Sequence, residues 1–324
     1  ILKWNNTNSK WYPGDVEENA SGAQKAIFGF GYHISSLTNV TNLVSSTGVV
    51  ASDTTGVGTA KYKLAASGYG GDKAIFGFGY SSGSPYISVT NLVSNSGVVA
   101  TDTAGASGVT ARRGVAGANY GSTGQAIFGF GEQSSNNGST SNISNLVSSS
   151  GVVASDTTGV GTARDYLAAA GYGGDKAIFG FGSVGNNARR YNLVSNTGVV
   201  SSDVTGVGTS YYGLGGASYG GDKAIFGFGI KGEETNTTNL VSNTGVVGSD
   251  VTTVGTAKEL TAAAGYGGDK AIFGYGRSYT LPGYVLHRFN HTNLVSNTGV
   301  VSTDVTGVGS VRHSLAAAGF SSTA

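Results

Sequence analysis

A repeat constrains this chain more than any other feature. The string Ala-Ile-Phe-Gly-[Phe/Tyr]-Gly begins at Ala26, Ala74, Ala126, Ala177, Ala224 and Ala271, and Asn-Leu-Val-Ser begins at Asn42, Asn91, Asn145, Asn192, Asn239 and Asn293. An aspartate follows each of those asparagines by 11 residues, at Asp53, Asp102, Asp156, Asp203, Asp250 and Asp304, so the second half of the unit tolerates no insertion. The first half does: the spacing from Ala to Asn runs from 15 residues (Ala177 to Asn192) to 22 (Ala271 to Asn293). Length alone would suggest about two domains, but units of about fifty residues that cannot bury their own apolar faces must stack on one another, and such an array forms one domain.

Each unit reads as four short strands. In the fourth copy, strand a is expected at Leu167 to Tyr172, a Gly-Gly-Asp turn follows, and strand b spans Lys176 to Gly182. After a variable loop come strand c at Tyr191 to Ser195, an Asn196-Thr197 turn with Gly198 behind it, and strand d at Val199 to Asp203, the pattern of a hairpin. Composition agrees: 56 of 324 residues are Gly and only 11% are charged, which suits tight turns and packed sheets. Four meandering strands at this period predict an all-β chain, a six-bladed β-propeller over residues 21–324. In strand b, strict alternation would put Ala177, Phe179 and Phe181 on one face and Ile178, Gly180 and Gly182 on the other, so that phenylalanines of one blade press on the glycine-cleared face of the next. No Ala-rich strand precedes Ala26, whereas Leu315-Ala316-Ala317-Ala318-Gly319-Phe320 follows the sixth unit. The C-terminal strand is therefore expected to complete the first blade and close the ring, removing two sheet edges. Residues 1–20 lie outside the repeat as a hairpin or linker that holds both tryptophans, Trp4 and Trp11.

The order of Ala/Gly strand, [Lys/Gln]-Ala-Ile-Phe-Gly-[Phe/Tyr]-Gly strand, variable loop and hairpin, with Arg112, Arg164, Lys258 or Arg312 ahead of strand a, resembles kelch repeats over Lys25 to Phe320. It departs from them in lacking the kelch tryptophan and in carrying Gly-Phe-Gly for the paired glycines. The opening Leu2-Lys3-Trp4-Asn5 and Lys10-Trp11-Tyr12-Pro13-Gly14-Asp15 resembles segments of tail-fibre and other virion structural proteins of tailed, T4-like cyanophage-type bacteriophages. That resemblance implies a virion protein on a particle surface, with residues 1–20 contacting other virion proteins.

Chemistry is thinly represented. Absence of Cys excludes disulfides and thiolate nucleophiles, and a net charge of +1 gives no basic stripe for nucleic acid. No apolar run reaches the ~18 residues of a membrane span, so no membrane insertion is expected. A chain that opens on Ile1 and has no Met is expected to be the processed or ordered part of a longer product. Strings such as Gly171-Tyr172-Gly173-Gly174-Asp175-Lys176 lack the following Ser/Thr and helix of a phosphate loop. Each repeated aspartate stands alone as a carboxylate, which suits a cap on the d-to-a turn better than calcium. His287 and His291 are expected in a long loop without a nearby carboxylate, so no metal and no cofactor is assigned there. Glu132, Asp165, Glu233, Glu234 and Glu259 are expected as solvated loop charges, and a carbohydrate-active propeller enzyme, which would need two positioned acids, is the alternative to a non-enzymatic role.

Variation between copies is the remaining signal. In a four-stranded meander the b-to-c and d-to-a connections share one face, and that face carries nearly all the differences, while the Gly-Gly-Asp and Asn-Thr-Gly turns of the other face repeat. Loops on a rigid scaffold are the usual place for binding, so the expected contact residues are Tyr32, Tyr80, Tyr86, Arg112, Arg113, Arg189, Arg190, Tyr211, Tyr212, Tyr279, Tyr284, His287, Arg288 and Phe289. Their expected partner is a host-surface glycan or protein.

Overall fold

The computed structural model describes residues 2–5, 10–13, 24–134, 138–184, 186–187, 189–280 and 282–320. The chain is all-β, built of several small antiparallel sheets. Among the described residues no helix is long and apolar enough to cross a membrane.

Each repeat forms one main sheet, with a small second sheet beside it in several of them. In the fourth unit Ala168–Tyr172, Lys176–Gly180 and Arg190–Val194 are strands a, b and c, with Phe179 opposite Ala169 on one side and Asn192 on the other. The same register recurs in every unit. For the first unit, strand a comes from the other end of the chain: Ala316–Phe320 pairs with Lys25–Gly29, which pairs in turn with Thr41–Val44. Strand a of each unit also lies against strand a of its neighbours, and Ala316–Phe320 lies between Ala262–Tyr266 and Ala65–Tyr69. Residues Leu2–Asn5 and Lys10–Pro13 form a separate hairpin with Trp4 opposite Trp11. Of the residues expected to link that hairpin to the repeats, 14–23 lie outside the described residues.

The cores lie between sheets and repeat one contact. The first phenylalanine of strand b presses on the preceding unit's glycine: a Cβ on Gly129 would meet the Phe179 ring at 2.7 Å, and one on Gly180 would meet Phe226 at 2.8 Å. Its edge meets the second aromatic of that unit, as in Phe130–Phe179 at 5.1 Å and Phe28–Tyr275 at 5.1 Å. Phe28 and Phe179 have no solvent exposure. The expected alternation needs one correction. Phe181 shares a cluster with Ile178 and Phe226, whereas Phe179 packs with Ala177 and Phe130. Its φ of 61° breaks the two-residue period and turns the ring to the opposite face, and Phe30, Phe78, Phe130, Phe228 and Tyr275 share that left-handed conformation.

Strand d is shorter than expected. In most units it reduces to isolated bridges such as Val194↔Val200, and the buried Asn192 donates its Nδ2 across to Ser201 O at 3.0 Å. Only the fifth unit has a longer strand there, Val247–Thr252. In the sixth unit the expected long b-to-c loop is instead a two-stranded extension: Lys270–Thr280 and Val285–Val295 pair past the sheet, with Arg277 opposite Arg288 and Thr280 opposite Val285.

Candidate functional site

The residues entering strand a divide into three layers by position. The outermost layer is Lys61, Arg112, Arg164, Tyr211, Lys258 and Arg312. Lys61, Arg112, Arg164, Lys258 and Arg312 are fully buried, each with its cationic group over an aromatic ring of the preceding unit, as in Arg164 4.1 Å from the centroid of Phe130. Each donates to the asparagine of its own unit: Lys61 Nζ to Asn91 Oδ1 at 2.6 Å, Arg164 to Asn192 at 2.7 Å, Lys258 to Asn293 at 2.7 Å, and likewise Arg112 to Asn145 and Arg312 to Asn42. The asparagine donates on to the repeated aspartate, as Asn91 does to Asp102 at 2.8 Å, and Asp102 also accepts from the amide and hydroxyl of Thr59. Burial alone would raise Asp102, but the bonds from Thr59 and Asn91 outweigh it and hold the carboxyl below its usual range. Burial lowers the lysines, Lys61 to about 8 and Lys258 to about 7, with Asp102 and Asp304 pulling back.

This layer corrects two expected contact residues. Arg112 is fully buried and Tyr211 nearly so; Tyr211 stands where other units have a cation, its OH donating to Asp250 at 3.1 Å. They join units rather than meet a ligand. A cation–π stack plus hydrogen bonds is what lets a guanidinium leave water.

The innermost layer is Lys63, Gly114, Tyr166, Gly213, Leu260 and Ser314, all at φ between 50° and 66°. Their amides and carbonyls bond in sequence: Gly114 N to Lys63 O (2.8 Å), Tyr166 N to Gly114 O (3.2 Å), Gly213 N to Tyr166 O (2.8 Å), Leu260 N to Gly213 O (2.7 Å), Ser314 N to Leu260 O (2.9 Å) and Lys63 N to Ser314 O (2.8 Å). The sixth bond returns to the first residue. Behind it Leu64, Val115, Leu167, Leu214 and Leu315 leave a space of only about 70 Å³.

Between these layers six pairs surround the cycle. Tyr62 bridges to Tyr80, Arg113 to Glu132, Asp165 to Ser183, Tyr212 to Ile230, Glu259 to Arg277 and His313 to Tyr32. Arg113 donates through Nε and a terminal nitrogen to both oxygens of Glu132 at 2.8 Å each, and Tyr86 OH donates to the same carboxylate at 2.7 Å. The Arg113 guanidinium lies over Tyr86 (4.9 Å) and Tyr80 (5.8 Å). Lys63 Nζ sits over Tyr166 (4.9 Å) and Tyr62 (5.4 Å), and Tyr62 contacts both Tyr80 (5.1 Å) and Tyr32 (5.6 Å). Tyr212 lies 6.5 Å from Tyr166.

The acids here differ from solvated loop charges. Burial would raise Glu132, but the bonds from Arg113 and Tyr86 prevail and lower it. Asp165 has no such arginine: burial first, then the charge of Glu132, raises it to about 6, with Lys63 opposing. Burial raises Glu259, which is 4% exposed, against the pull of Arg277, 2.9 Å away. Burial, then Arg277, Arg288 and Lys63, lowers His313 to about 3. The signal that could have found Lys63, Asp165, Glu132 and Glu259 was present in the repeat: Lys63 and Asp165 lie one or two residues after the buried cation of their units, and aligning the six copies brings these positions together.

The other expected contacts lie farther out. Arg189 and Arg190 are exposed, Arg190 donating to Thr162 Oγ1 at 2.6 Å. Tyr279 stacks under Arg277, and its amide donates to Glu234 at 3.0 Å. Tyr284, 75% exposed, tips the sixth-unit hairpin; His287 is exposed beside it, Arg288 is half-buried, and Phe289 contacts the ring of His291 at 4.6 Å. His287 and His291 sit on one strand, not in a loop, and His291 has a carboxylate near it after all, with Asp304 3.7 Å away. Among the described residues no three His, Cys, Asp or Glu side chains come together as a metal would need.

At the opposite end the turns repeat, with Asn196 of the c-to-d turn bonded to Asp175 of the a-to-b turn at 3.1 Å. A cavity of about 410 Å³ opens there among Gly68, Asn119, Gly171, Ser218, Gly265 and Gly319, ringed by lysines such as Lys73 and Lys176 that pair with the neighbouring Asp72 and Asp175. No protein-family model matches this chain, and a search of curated proteins finds no match.

Proposed function

We propose that the six sheets close into a six-bladed β-propeller of kelch-like type, and that the molecule is a non-enzymatic binding module carried on the tail, fibre or outer surface of a phage particle. The closed architecture is supported by the cycle of six backbone hydrogen bonds through Lys63, Gly114, Tyr166, Gly213, Leu260 and Ser314. An open array would leave its two terminal amide and carbonyl groups without partners. The observation that carries the binding role is the contrast between the two ends. One presents near-identical turns; the other gathers Tyr, Arg, Lys and Glu side chains of different units around the central cycle, the composition of a recognition surface on a rigid scaffold. The particle assignment draws on the Leu2-Lys3-Trp4-Asn5 and Trp11-Tyr12-Pro13-Gly14-Asp15 segments, with residues 1–20 engaging other virion proteins and the varied face engaging a host-surface glycan or protein.

Antibodies raised against the chain should label purified particles by immunogold microscopy, and free protein should slow particle adsorption to host cells. Unlabelled particles would overturn the assignment. A second reading, a carbohydrate-active enzyme, is favoured by one observation: Asp165 is raised to about 6 while its neighbour Glu132 is lowered, the split an acid–base pair requires. Release of a chromophore from aryl glycosides, abolished in Asp165→Asn, would select that reading over binding alone.

A further inference from the structure

The geometry points to a neutral saccharide as the ligand of the varied face around the central cycle, held against Lys63, Arg113, Glu132, Asp165 and the rings of Tyr62 and Tyr166. This rests on the varied face being the binding face and narrows it from the outer loops to the axis. Three observations support it.

The charges cancel locally. Lys63 and Arg113 face Glu132 and Asp165, and Arg277, within electrostatic reach of Tyr62 and Lys63, is paired with Glu259, so neither an anionic nor a cationic ligand gains much from the field. A sugar hydroxyl both donates and accepts, and needs donors and acceptors side by side, which an Arg113–Glu132 fork beside Lys63 and Asp165 provides.

Aromatic rings are in place as well, inclined to one another rather than coplanar. Tyr32, Tyr62 and Tyr80 touch in series at 5.6 Å and 5.1 Å, and Tyr166 adds a ring across Lys63. The C–H face of a pyranose packs on such rings with little loss of side-chain freedom. These side chains are half-buried, so they are held in place and still reachable.

Backbone strain is the third observation. Lys63 and Tyr166 keep φ at 54° and 51°, a conformation costly for side chains with a Cβ that Leu260 and Ser314 share, at a position where the third and fifth units use Gly114 and Gly213. Glycine would fold there more easily. The two strained residues with long polar side chains are the two that reach the centre of the cluster, next to each other.

The test is a printed array of neutral, sialylated and sulfated oligosaccharides probed with labelled full-length protein. Tyr166→Gly relieves the strained φ and so keeps the fold, and Asp165→Asn keeps the shape. Wild type should retain neutral glycans, and each variant should weaken binding about tenfold or more, as loss of a charged hydrogen bond or a stacking ring does. Lys223→Ala, at the opposite end where Lys223 pairs with Asp222, should bind like wild type. An array on which only acidic glycans are retained, or on which Tyr166→Gly binds as wild type does, overturns the inference. Labelled protein is also applied to host cells: cell binding unaffected by Tyr166→Gly leaves the adhesive reading standing and removes only the saccharide site. Array binding without cell binding does the reverse.

Discussion

Replacing Gly129 by Ala tests how the units are joined. Gly129 has an ordinary φ, so a Cβ there meets no backbone obstacle, but it would lie 2.7 Å from Cζ of Phe179 and 3.1 and 3.2 Å from the flanking ring carbons. Carbon atoms settle at about 3.5–4.0 Å, so the ring must retreat by about 1 Å. Phe179 is fully enclosed, with Phe130 meeting it edge to face and Ala177 and Val194 around it, and cannot retreat freely. Overpacking of this kind costs about 1–3 kcal/mol. Gly83→Ala is the control: its Cβ would meet nothing within 4 Å, and its cost should stay within about 0.5 kcal/mol. Urea unfolding followed by far-ultraviolet circular dichroism reads both as shifts in midpoint at constant slope. Shrinking the partner supplies the decisive comparison, because on a Phe179→Leu background the Gly129→Ala cost should fall by about 1 kcal/mol or more, the coupling expected of residues in contact. A Gly129→Ala midpoint equal to wild type, or a cost undiminished by Phe179→Leu, would refute large-on-small packing as the joint.

Arg112→Ala should destabilise by about 3–5 kcal/mol because it strands Asn145 and the carbonyls of Phe130 and Ile143, whereas Arg189→Ala on the surface should be near neutral; the same urea midpoints decide. Asp165 is held at about 6, above its unfolded 3.8, so its stabilising contribution is present below 3.8 and lost as pH rises through 6; Asp165→Asn should therefore raise the melting temperature at pH 8 and leave it unchanged at pH 3. His313 runs the other way: lowered from 6.5 to about 3, it stabilises above 6.5 and that contribution is lost as pH falls through 3, so His313→Phe should lose less stability than wild type between those pH values.

Strands a, b and c were legible because fixed spacing and the Ala-Ile-Phe-Gly string mark them, and the pairing of Ala316–Phe320 with Lys25–Gly29 followed from a strand missing at one end and supernumerary at the other. Where reading failed, non-local contacts decided. A left-handed phenylalanine has no sequence mark, so Phe181 was placed on the wrong face. Arg112 was read as surface because arginine is rarely buried; its ring, its asparagine and its carbonyl partners come from segments tens of residues away. Strand d, which the sequence predicts from Val199 to Asp203 in the fourth unit, breaks into isolated bridges in most units. Of the candidate site, Tyr32, Tyr80, Tyr86 and Arg113 are visible as variation, while Asp165 and Glu132 look like solvated charge and only the sheets bring them beside Lys63 and Arg113.

Closure of the ring is the claim on which the rest depends, and amide hydrogen exchange of a chain cut back to Ser314 measures it. In the intact protein the amides of Lys63, Gly114, Tyr166, Gly213, Leu260 and Ser314 form one cycle, and Tyr166 stands across it from Ser314. Removing the strand at Ala316–Phe320 should cost protection at all six, Tyr166 and Gly213 included, because the freed edges open the cycle as a whole. Loss confined to Lys63 and Ser314, with Tyr166 as protected as before, would contradict it.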